Sequence, residues 1–181
     1  MIMVLAFSPI YLIIFIVCFL ESGRPLFIQE RIGKHGKPFK LIKFRTMRIE
    51  TPSVASHLVN ENLVTKFGRI LRKLKFDELP QIINVIKGDM SLIGPRPERR
   101  FFNNCLEKEI PFYNLRHQIN PGISGWAQVN YCYGSSIEDS KIKLGYDLYY
   151  IKNFSNLLDI LILFKTIRLV FNAKGAVKQN D

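Results

Sequence analysis

Two neighbouring carboxylates, Asp77 and Glu78, are the residues whose types and position most directly suggest chemistry in this chain. Basic segments flank the pair, and the chain begins with an almost uncharged apolar run. Clustered cations attract phosphate groups, and an apolar run of this kind attaches a protein to a membrane. The combination predicts chemistry on a phosphorylated substrate at a membrane surface.

The residues after the acidic pair predict a short helix. Pro80 suits its first turn and Gly88 suits its C-terminal cap. Asp77 and Glu78 are therefore expected at, or just before, a helix N-terminus, where free N–H groups and the helix dipole favour anions. An ordinary capping role is the alternative explanation. The apolar positions that carry the helical spacing are Leu79, Ile82, Ile83 and Ile86.

The 181 residues carry a formal net charge of +11, which calls for a polyanionic partner. No helix-turn-helix, zinc or RNA-binding signature accompanies this charge, so we expect lipid and nucleotide phosphates rather than nucleic acid. Three widely spaced cysteines predict neither a disulfide framework nor a zinc site. The two basic clusters comprise Arg24, Arg31, Lys34, Lys37, Lys40, Lys43, Arg45 and Arg48, then Lys66, Arg69, Arg72, Lys73 and Lys75.

Residues 1–20 contain no charged side chain, and a run of about 20 such residues can span a bilayer. They predict a membrane-anchoring helix in front of a catalytic domain at 21–181, with the basic domain on the cytoplasmic side. Ser8 and Pro9 interrupt the run. A kink at this pair would return the helix to the side it entered, so a re-entrant helix and a spanning helix both remain open.

The rest of the chain predicts an α+β fold in which helices dominate. Residues 27–32 and 39–44 predict a β-hairpin around a glycine-bracketed turn, and 49–62 predict a surface loop. Residues 63–76 predict an amphipathic helix, either interfacial or packed on a core. The remaining segments are stiff turns at 94–97 and 120–126, a helix at 137–151, and an interfacial or core helix at 157–171.

Seven short sequence motifs are spread over nearly the whole chain, at 23–33, 36–39, 43–47, 77–81, 88–97, 121–129 and 146–153. In this order they resemble the bacterial sugar transferase family, the small monotopic phosphoglycosyl transferases. That family includes polyprenyl-phosphate hexose-1-phosphate transferases. The stretch 131–139 looks most like exopolysaccharide-type members. Ser8 and Pro9 match the helix-breaking pair of the family's re-entrant membrane helix, which favours the re-entrant alternative.

The resemblance implies a reaction. A nucleotide-diphosphate sugar, usually a UDP-sugar, gives its sugar-1-phosphate to polyprenyl (undecaprenyl) phosphate, and UMP is released. This is the first membrane step of exopolysaccharide, O-antigen or related glycoconjugate synthesis. It would occur at the cytoplasmic face of the bacterial inner membrane. The expected partners are the donor, the lipid acceptor, membrane lipids and downstream glycosyltransferases.

The resemblance also implies roles for individual residues. Asp77 would be the nucleophile that forms a covalent phosphosugar intermediate, and Glu78 would help to hold Mg²⁺ or position the pair. Asp147 would serve either Mg²⁺ or a phosphate-binding arginine, with a buried salt bridge as the structural alternative. The implied metal set is Asp77, Glu78 and Asp147, and the candidate phosphate contacts are Lys43, Arg45, Arg72, Arg96 and Arg116.

Two other functions remain open at this point. A sugar-only glycosyltransferase would use the acidic pair for metal binding and would release UDP. An inactive membrane scaffold would fit a chain whose anchor is incomplete. Only seven residues precede Ser8, which is short for the incoming arm of a re-entrant helix. A late start, a fragment, or the tail of a longer polytopic protein would each explain this.

Overall fold

A computed structural model of the chain describes residues 8–49, 63–131, 134 and 136–171. Helices dominate the described residues and the strands are short, as the sequence predicted. The α-helices are α1 (Ser8–Ser22), α2 (Lys66–Leu74), α3 (Ile82–Ile86), α4 (Arg100–Glu109), α5 (Trp126–Asn130), α6 (Ile137–Lys152) and α7 (Asn156–Phe171). The strands are β1 (Leu26–Ile32), β2 (Pro38–Phe44), β3 (Ser91–Ile93) and β4 (Gly122–Ser124). Short 3₁₀ helices cover Lys34–Gly36, Phe76–Gln81 and Tyr113–Gln118.

The chain divides into two compact units. The first unit contains Met1–Ile28 and Ile42–Pro80, and the second contains Gln29–Leu41 and Gln81–Asp181. Strands β1 and β2 pair with each other in a two-stranded sheet, so the predicted hairpin is confirmed. Its turn closes where the Gly33 amide donates to the Lys37 carbonyl at 2.8 Å.

In the first unit, α1 and α2 pack around one apolar cluster. Its buried members are Ile14, Cys18, Phe44 and Leu71, and Tyr11, Leu26, Phe67 and Leu79 pack against them. Helix α2 is shorter than the predicted 63–76 because its two ends are fixed locally. The Thr65 hydroxyl caps the start by accepting from the Gly68 amide at 2.9 Å. The left-handed backbone of Lys75, with φ of 59°, ends the helix.

In the second unit, β3 and β4 form a parallel pair that the sequence did not predict. Ser91 lies opposite Gly122, and Ile93 lies opposite Ser124. The predicted stiff turn at 120–126 is therefore wrong in its middle, which is a strand. The backbones at Gly94 and Gly122 approach closely because Gly122 has no side chain. A Cβ at position 122 would lie 2.1 Å from the Gly94 nitrogen.

Two apolar clusters support the second unit. Ile93, Tyr150 and Ile162 form one, and Ile110, Tyr113 and Leu144 form the other. Helix α6 joins them, because Tyr150 and Leu144 both belong to it. The predicted helices at 137–151 and 157–171 are confirmed within a residue at each end.

None of the helices in the described ranges is both long enough and apolar enough to cross a membrane. Helix α1 is described from Ser8 onward, with Pro9 in its first turn, so the predicted break at this pair cannot be compared with what precedes it. The re-entrant helix and the division at residue 20 stay predictions. Residues 50–62, most of the predicted surface loop, and Cys132, Tyr133 and Ser135 lie outside the described residues.

Candidate active site

Asp77 and Glu78 lie in the first turn of the 3₁₀ helix Phe76–Gln81, directly between α2 and α3. The sequence predicted that they lie at or just before a helix N-terminus, and this first turn is the N-terminal end of a 3₁₀ helix that leads directly into α3. The Glu78 amide donates to the Lys75 carbonyl at 3.2 Å, which joins the turn to the left-handed residue that ends α2. The Tyr11 hydroxyl of α1 donates to the Leu79 carbonyl at 2.6 Å. The acidic pair is thus fixed from both α1 and α2.

Glu78 is paired with Lys43. The Lys43 ammonium donates to Glu78 Oε1 at 3.0 Å, and the two side chains are only 17% and 11% exposed. Lys43 comes from β2, which places a cation beside the acidic pair across 35 residues of sequence. A charge in so sheltered a position is stable only with a partner, so each of these two groups depends on the other.

Asp77 is in a different situation from its neighbour. Its Oδ1 atom is buried and has no hydrogen-bond partner among the described residues. Burial, and then the charge of Glu78, raise the pKa of the Asp77 carboxyl, while Lys43, Lys75 and Arg72 oppose the rise. A buried acceptor without a partner is costly. The geometry therefore keeps one carboxylate oxygen available to a metal ion or an electrophile.

Arg72 is one of the three cations that act on Asp77. Its Nε donates to the Thr46 hydroxyl at 2.8 Å, and Thr46 is buried. Burial lowers the pKa of Arg72, and the charge of Asp77 opposes that change. The sequence did not predict Thr46 as a site residue. Its position between Arg45 and Met47, inside one of the matched motifs, was the available signal.

The Arg45 side chain contacts the residues at the start of the hairpin. Its Nε donates to the Arg24 carbonyl at 3.0 Å and its Nη2 donates to the Leu26 carbonyl at 3.3 Å. The guanidinium lies 5.5 Å from the centre of the Phe27 ring. These contacts join the two ends of the hairpin, and the predicted phosphate contact of Arg45 stays a prediction.

In the second unit, Arg116 is buried in a polar cluster that the sequence only partly predicted. Its Nη2 lies 2.8 Å from Asp147 Oδ2, and the side chains are 6% and 2% exposed. Its Nη1 donates to the Tyr113 hydroxyl at 2.5 Å. Burial lowers the pKa of Arg116, but the Asp147 carboxylate more than offsets this, so the pKa lies above its ordinary value. Arg116 is thus a permanently charged group in a protein interior.

The same guanidinium also contacts the backbone of the loop that carries Arg96. Arg116 Nη2 donates to the Arg96 carbonyl at 2.9 Å. The Arg96 residue itself is exposed, whereas Pro95 and Pro97 on either side are buried. The proline-rich loop predicted at 94–97 is therefore present, and its direction is fixed partly by a buried cation.

The structure groups the predicted residues within each unit. Lys43, Arg72, Asp77 and Glu78 come together in the first unit, and Arg116 and Asp147 come together in the second. Among residues 8–49, 63–131, 134 and 136–171, no three or more His, Cys, Asp or Glu side chains are placed to hold a metal ion. Asp77 and Glu78 nevertheless fit Mg²⁺, because Oδ1 of Asp77 is a buried acceptor without a partner and Mg²⁺ commonly takes one or two carboxylates plus substrate oxygens.

A carboxylate pair with cations around one of its members is typical of proteins that handle phosphate groups. Comparison with known proteins agrees with this geometry. The family model for bacterial sugar transferases matches residues 1–173. The chain belongs to the bacterial sugar transferase family.

Three relatives illustrate the similarity. A UDP-N-acetylgalactosamine-undecaprenyl-phosphate N-acetylgalactosaminephosphotransferase of Aeromonas hydrophila is 49% identical over 94% of this chain and 41% of its own length. An uncharacterised sugar transferase, EpsL, of Bacillus subtilis is 43% identical over 96% of this chain and 83% of its own length. A UDP-glucose:undecaprenyl-phosphate glucose-1-phosphate transferase of Escherichia coli is 41% identical over 95% and 38%. The chain thus spans about two fifths of the first and third relatives.

Proposed function

We propose that this chain transfers a sugar-1-phosphate from a nucleotide-diphosphate sugar, a UDP-sugar, to polyprenyl phosphate. The reaction passes through a covalent phosphosugar intermediate, an acyl phosphate of Asp77. The observation that carries the proposal is the buried Oδ1 of Asp77, which has no partner in the described part of the chain and lies among Lys43, Arg72 and Lys75. Two of the relatives above are named for sugar phosphate transfer to undecaprenyl phosphate.

In the first step, an oxygen of the Asp77 carboxylate attacks the phosphorus that bears the sugar. The bond from that phosphorus to the bridging oxygen breaks, and UMP leaves with the electron pair. An anion attacks an anion here, so the cations around Asp77 must lower the repulsion. Lys43, Arg72 and Lys75 are charged groups that act on this carboxyl.

In the second step, an oxygen of polyprenyl phosphate attacks the same phosphorus. The acyl phosphate bond between phosphorus and the Asp77 carboxylate oxygen breaks, the carboxylate is regenerated, and the product is the polyprenyl-diphosphate sugar. Charge balances in both steps without any proton transfer, so no general acid or base is required. This suits the acidic pair, because Glu78 is paired with Lys43 and Asp77 alone acts as nucleophile.

Asp77 and Glu78 would hold Mg²⁺, which when bound supplies positive charge to the diphosphate oxygens. Glu78 is held at a fixed position by Lys43 at 3.0 Å. Arg96 is retained as a phosphate contact from its motif position and its exposed location.

Membrane association is supported by apolar surface in each unit. Helix α1 exposes Leu12, Ile13, Phe19 and Leu20, each more than half exposed. Helix α7 exposes Leu157, Phe164 and Phe171, between 68% and 85%. Exposed apolar faces of this kind are characteristic of proteins that dock onto membranes. We propose that both helices contact the cytoplasmic face of the bacterial inner membrane, where polyprenyl phosphate resides.

The test is the identity of the released nucleotide. The chain in nanodiscs is mixed with undecaprenyl phosphate, Mg²⁺ and a panel of UDP-sugars, and UMP and UDP are separated chromatographically. Asp77→Asn is the matched control. We expect UMP from the wild type with one donor, and none from the variant.

Other results would overturn the proposal in distinct ways. UDP in place of UMP would indicate a sugar-only glycosyltransferase. UMP release by Asp77→Asn at the wild-type rate would exclude Asp77 as the nucleophile. No release from any donor, also from an N-terminally extended chain, would favour the scaffold alternative.

A further inference from the structure

Within the second unit, the loop at 94–98 is held by hydrogen bonds to consecutive backbone carbonyls. The Gly122 amide donates to the Pro95 carbonyl at 2.9 Å, and Arg116 Nη2 donates to the Arg96 carbonyl at 2.9 Å. Arg31 Nη1 donates to the Pro97 carbonyl at 3.0 Å, and the Ile32 amide donates to the Glu98 carbonyl at 2.9 Å. Four consecutive carbonyls thus each accept a hydrogen bond, from four donors.

Among these four donors, the Arg116 guanidinium is itself held by contacts with two further side chains. Tyr113 and Asp147 engage its two terminal nitrogens, and the Tyr113 ring centre lies 5.0 Å from the guanidinium carbon. Asp147 is 2% exposed and belongs to α6, whereas Arg116 belongs to the 3₁₀ helix Tyr113–Gln118. A guanidinium presents its donors in a rigid planar fork, so fixing two of them fixes the third.

We propose that Arg116, Tyr113 and Asp147 are positioning residues that hold the Arg96 carbonyl and thereby aim the Arg96 side chain at a substrate phosphate. Arg116 itself contacts no phosphate, and Asp147 holds no metal. This inference rests on the proposed function, because it takes Arg96 as a phosphate contact. It assigns Arg116 and Asp147 roles different from the phosphate and metal roles that the sequence predicted.

The geometry supports this assignment in two ways. Arg116 is 6% exposed and both its terminal nitrogens already have acceptors within 2.9 Å, so a phosphate would have to displace a buried contact. Asp147 lies against a permanent cation, which neutralises the charge that would attract Mg²⁺. Arg96 is exposed and sits between two prolines that restrict its backbone.

The first experiment is a double-mutant cycle in the UMP-release assay with Arg96→Ala and Arg116→Lys. If Arg116 acts through Arg96, Arg116→Lys alone lowers kcat/KM roughly tenfold, and it causes almost no further loss in the Arg96→Ala background. Multiplying losses would mean that Arg116 contacts substrate directly and would overturn the proposal. Arg100→Lys is the matched control, because Arg100 forms an exposed ion pair with Glu30 at 2.8 Å in the same unit.

The second experiment tests Asp147 in the same assay. In Asp147→Asn, the Mg²⁺ concentration that gives half-maximal rate should stay at the wild-type value while kcat falls. A several-fold increase in that concentration would identify Asp147 as a metal ligand. If Asp147→Asn fails to fold, Asp147→Glu replaces it, since it keeps the negative charge opposite Arg116 but displaces the carboxylate oxygens, and its Mg²⁺ dependence has the same two interpretations.

The third experiment measures amide hydrogen exchange and does not depend on activity. The amides of Ile32 and Gly122 donate to loop carbonyls, so they report whether the loop is held. Both should exchange faster in Arg116→Lys than in the wild type and Arg100→Lys. Unchanged exchange would overturn the positioning role. If the wild type releases no UMP, the proposed function fails, and the exchange rates still decide whether Arg116 holds the loop.

Discussion

The Lys43 ammonium lies 3.0 Å from Oε1 of Glu78, and this contact makes two adjacent carboxylates unequal. Glu78 has a strong partner, whereas Oδ1 of Asp77 has none in the described part of the chain. The paired carboxylate suits a fixed supporting role, and the other suits attack on phosphorus.

Removing Lys43 should move the pH dependence of activity. Asp77 must be ionised to attack, so the rate falls as pH drops through its pKa. Burial and Glu78 raise that pKa, and Lys43 lowers it. In Lys43→Met the pKa rises further, and the acid limb of kcat/KM for UMP release, measured from about pH 5 to about pH 8, moves to higher pH. Lys40→Met, an exposed lysine on the same strand, should leave the limb in place; an unmoved limb in Lys43→Met would contradict the assignment.

The two carboxylates should differ in what they do for stability. Because burial penalises the charge of Asp77, Asp77→Asn should abolish the covalent phosphosugar adduct seen by mass spectrometry without lowering the melting temperature. Glu78→Gln should lower the melting temperature, since it leaves Lys43 sheltered without a counter-charge, at a cost of about 1–3 kcal/mol. Equal melting temperatures for the two variants would show that the pair is not divided in this way.

Thr46 should matter through Arg72. Its hydroxyl accepts from Arg72 Nε at 2.8 Å, and a hydrogen bond to a charged group contributes about 1.5–3 kcal/mol. Thr46→Val should reduce kcat/KM by roughly tenfold, whereas Thr46→Ser keeps the acceptor and should retain most activity. Comparable losses in both variants would contradict this role of Thr46, because Thr46→Ser keeps the hydroxyl that accepts from Arg72.

Arg96 should contribute more than a basic residue outside the site. Arg96→Ala should lower turnover by at least roughly tenfold, because a charged contact to a phosphate is lost. Arg48→Ala, which removes an exposed arginine, should stay within about twofold. The comparison is made at saturating donor in the UMP-release assay. Small and equal effects would reduce Arg96 to a structural residue.

His117 should make the fold sensitive to acid. Its Nε2 lies 2.8 Å from Asn103 Oδ1, and burial followed by the charge of Arg116 lowers its pKa from 6.5 to about 4. A base whose pKa is lowered by folding stabilises the fold above its unfolded pKa, so stability is lost as pH falls from about 6.5 to about 4. We expect the melting temperature to fall by several degrees across this window, as followed by circular dichroism.

Two variants control this prediction. His117→Gln keeps an N–H donor for Asn103 but cannot be protonated, so its melting temperature should fall less across the same window. His35→Asn changes an exposed histidine with a left-handed backbone, a conformation that asparagine tolerates, and should behave like the wild type. A parallel decline in all three proteins would assign the acid sensitivity to other groups.

Local signals in the sequence predicted much of the fold. The hairpin and α2 follow from apolar spacing and from glycines over a few residues, and the helices α6 and α7 were also predicted, α7 from a run that is apolar almost all round. The parallel pairing of β3 with β4 could not be predicted in this way. Each strand has three residues, too few to show alternation, and the pairing depends on the close approach of two glycine backbones.

The candidate site was only partly predicted, because some of its contacts join residues that are far apart in the sequence. The acidic pair lies in one of the family motifs, and Arg72 and Lys75 precede it closely in the sequence. Lys43, the partner of Glu78, is 35 residues away in the sequence. Charge alone does not show whether Lys43 pairs with Asp77 or with Glu78. Arg116 is ambiguous for the same reason, since a guanidinium suits a phosphate and a buried carboxylate equally well. Only its burial and its contacts distinguish the two.

The attachments of the loop at 94–98 also have a consequence for the order of folding. Its donors come from residues 31, 32, 116 and 122, and Arg116 requires Asp147. Contacts between positions so distant in sequence form slowly, because the intervening chain must be closed first. We therefore expect this loop to be ordered only after α6 has left the ribosome, later than the segments of the first unit that carry Asp77.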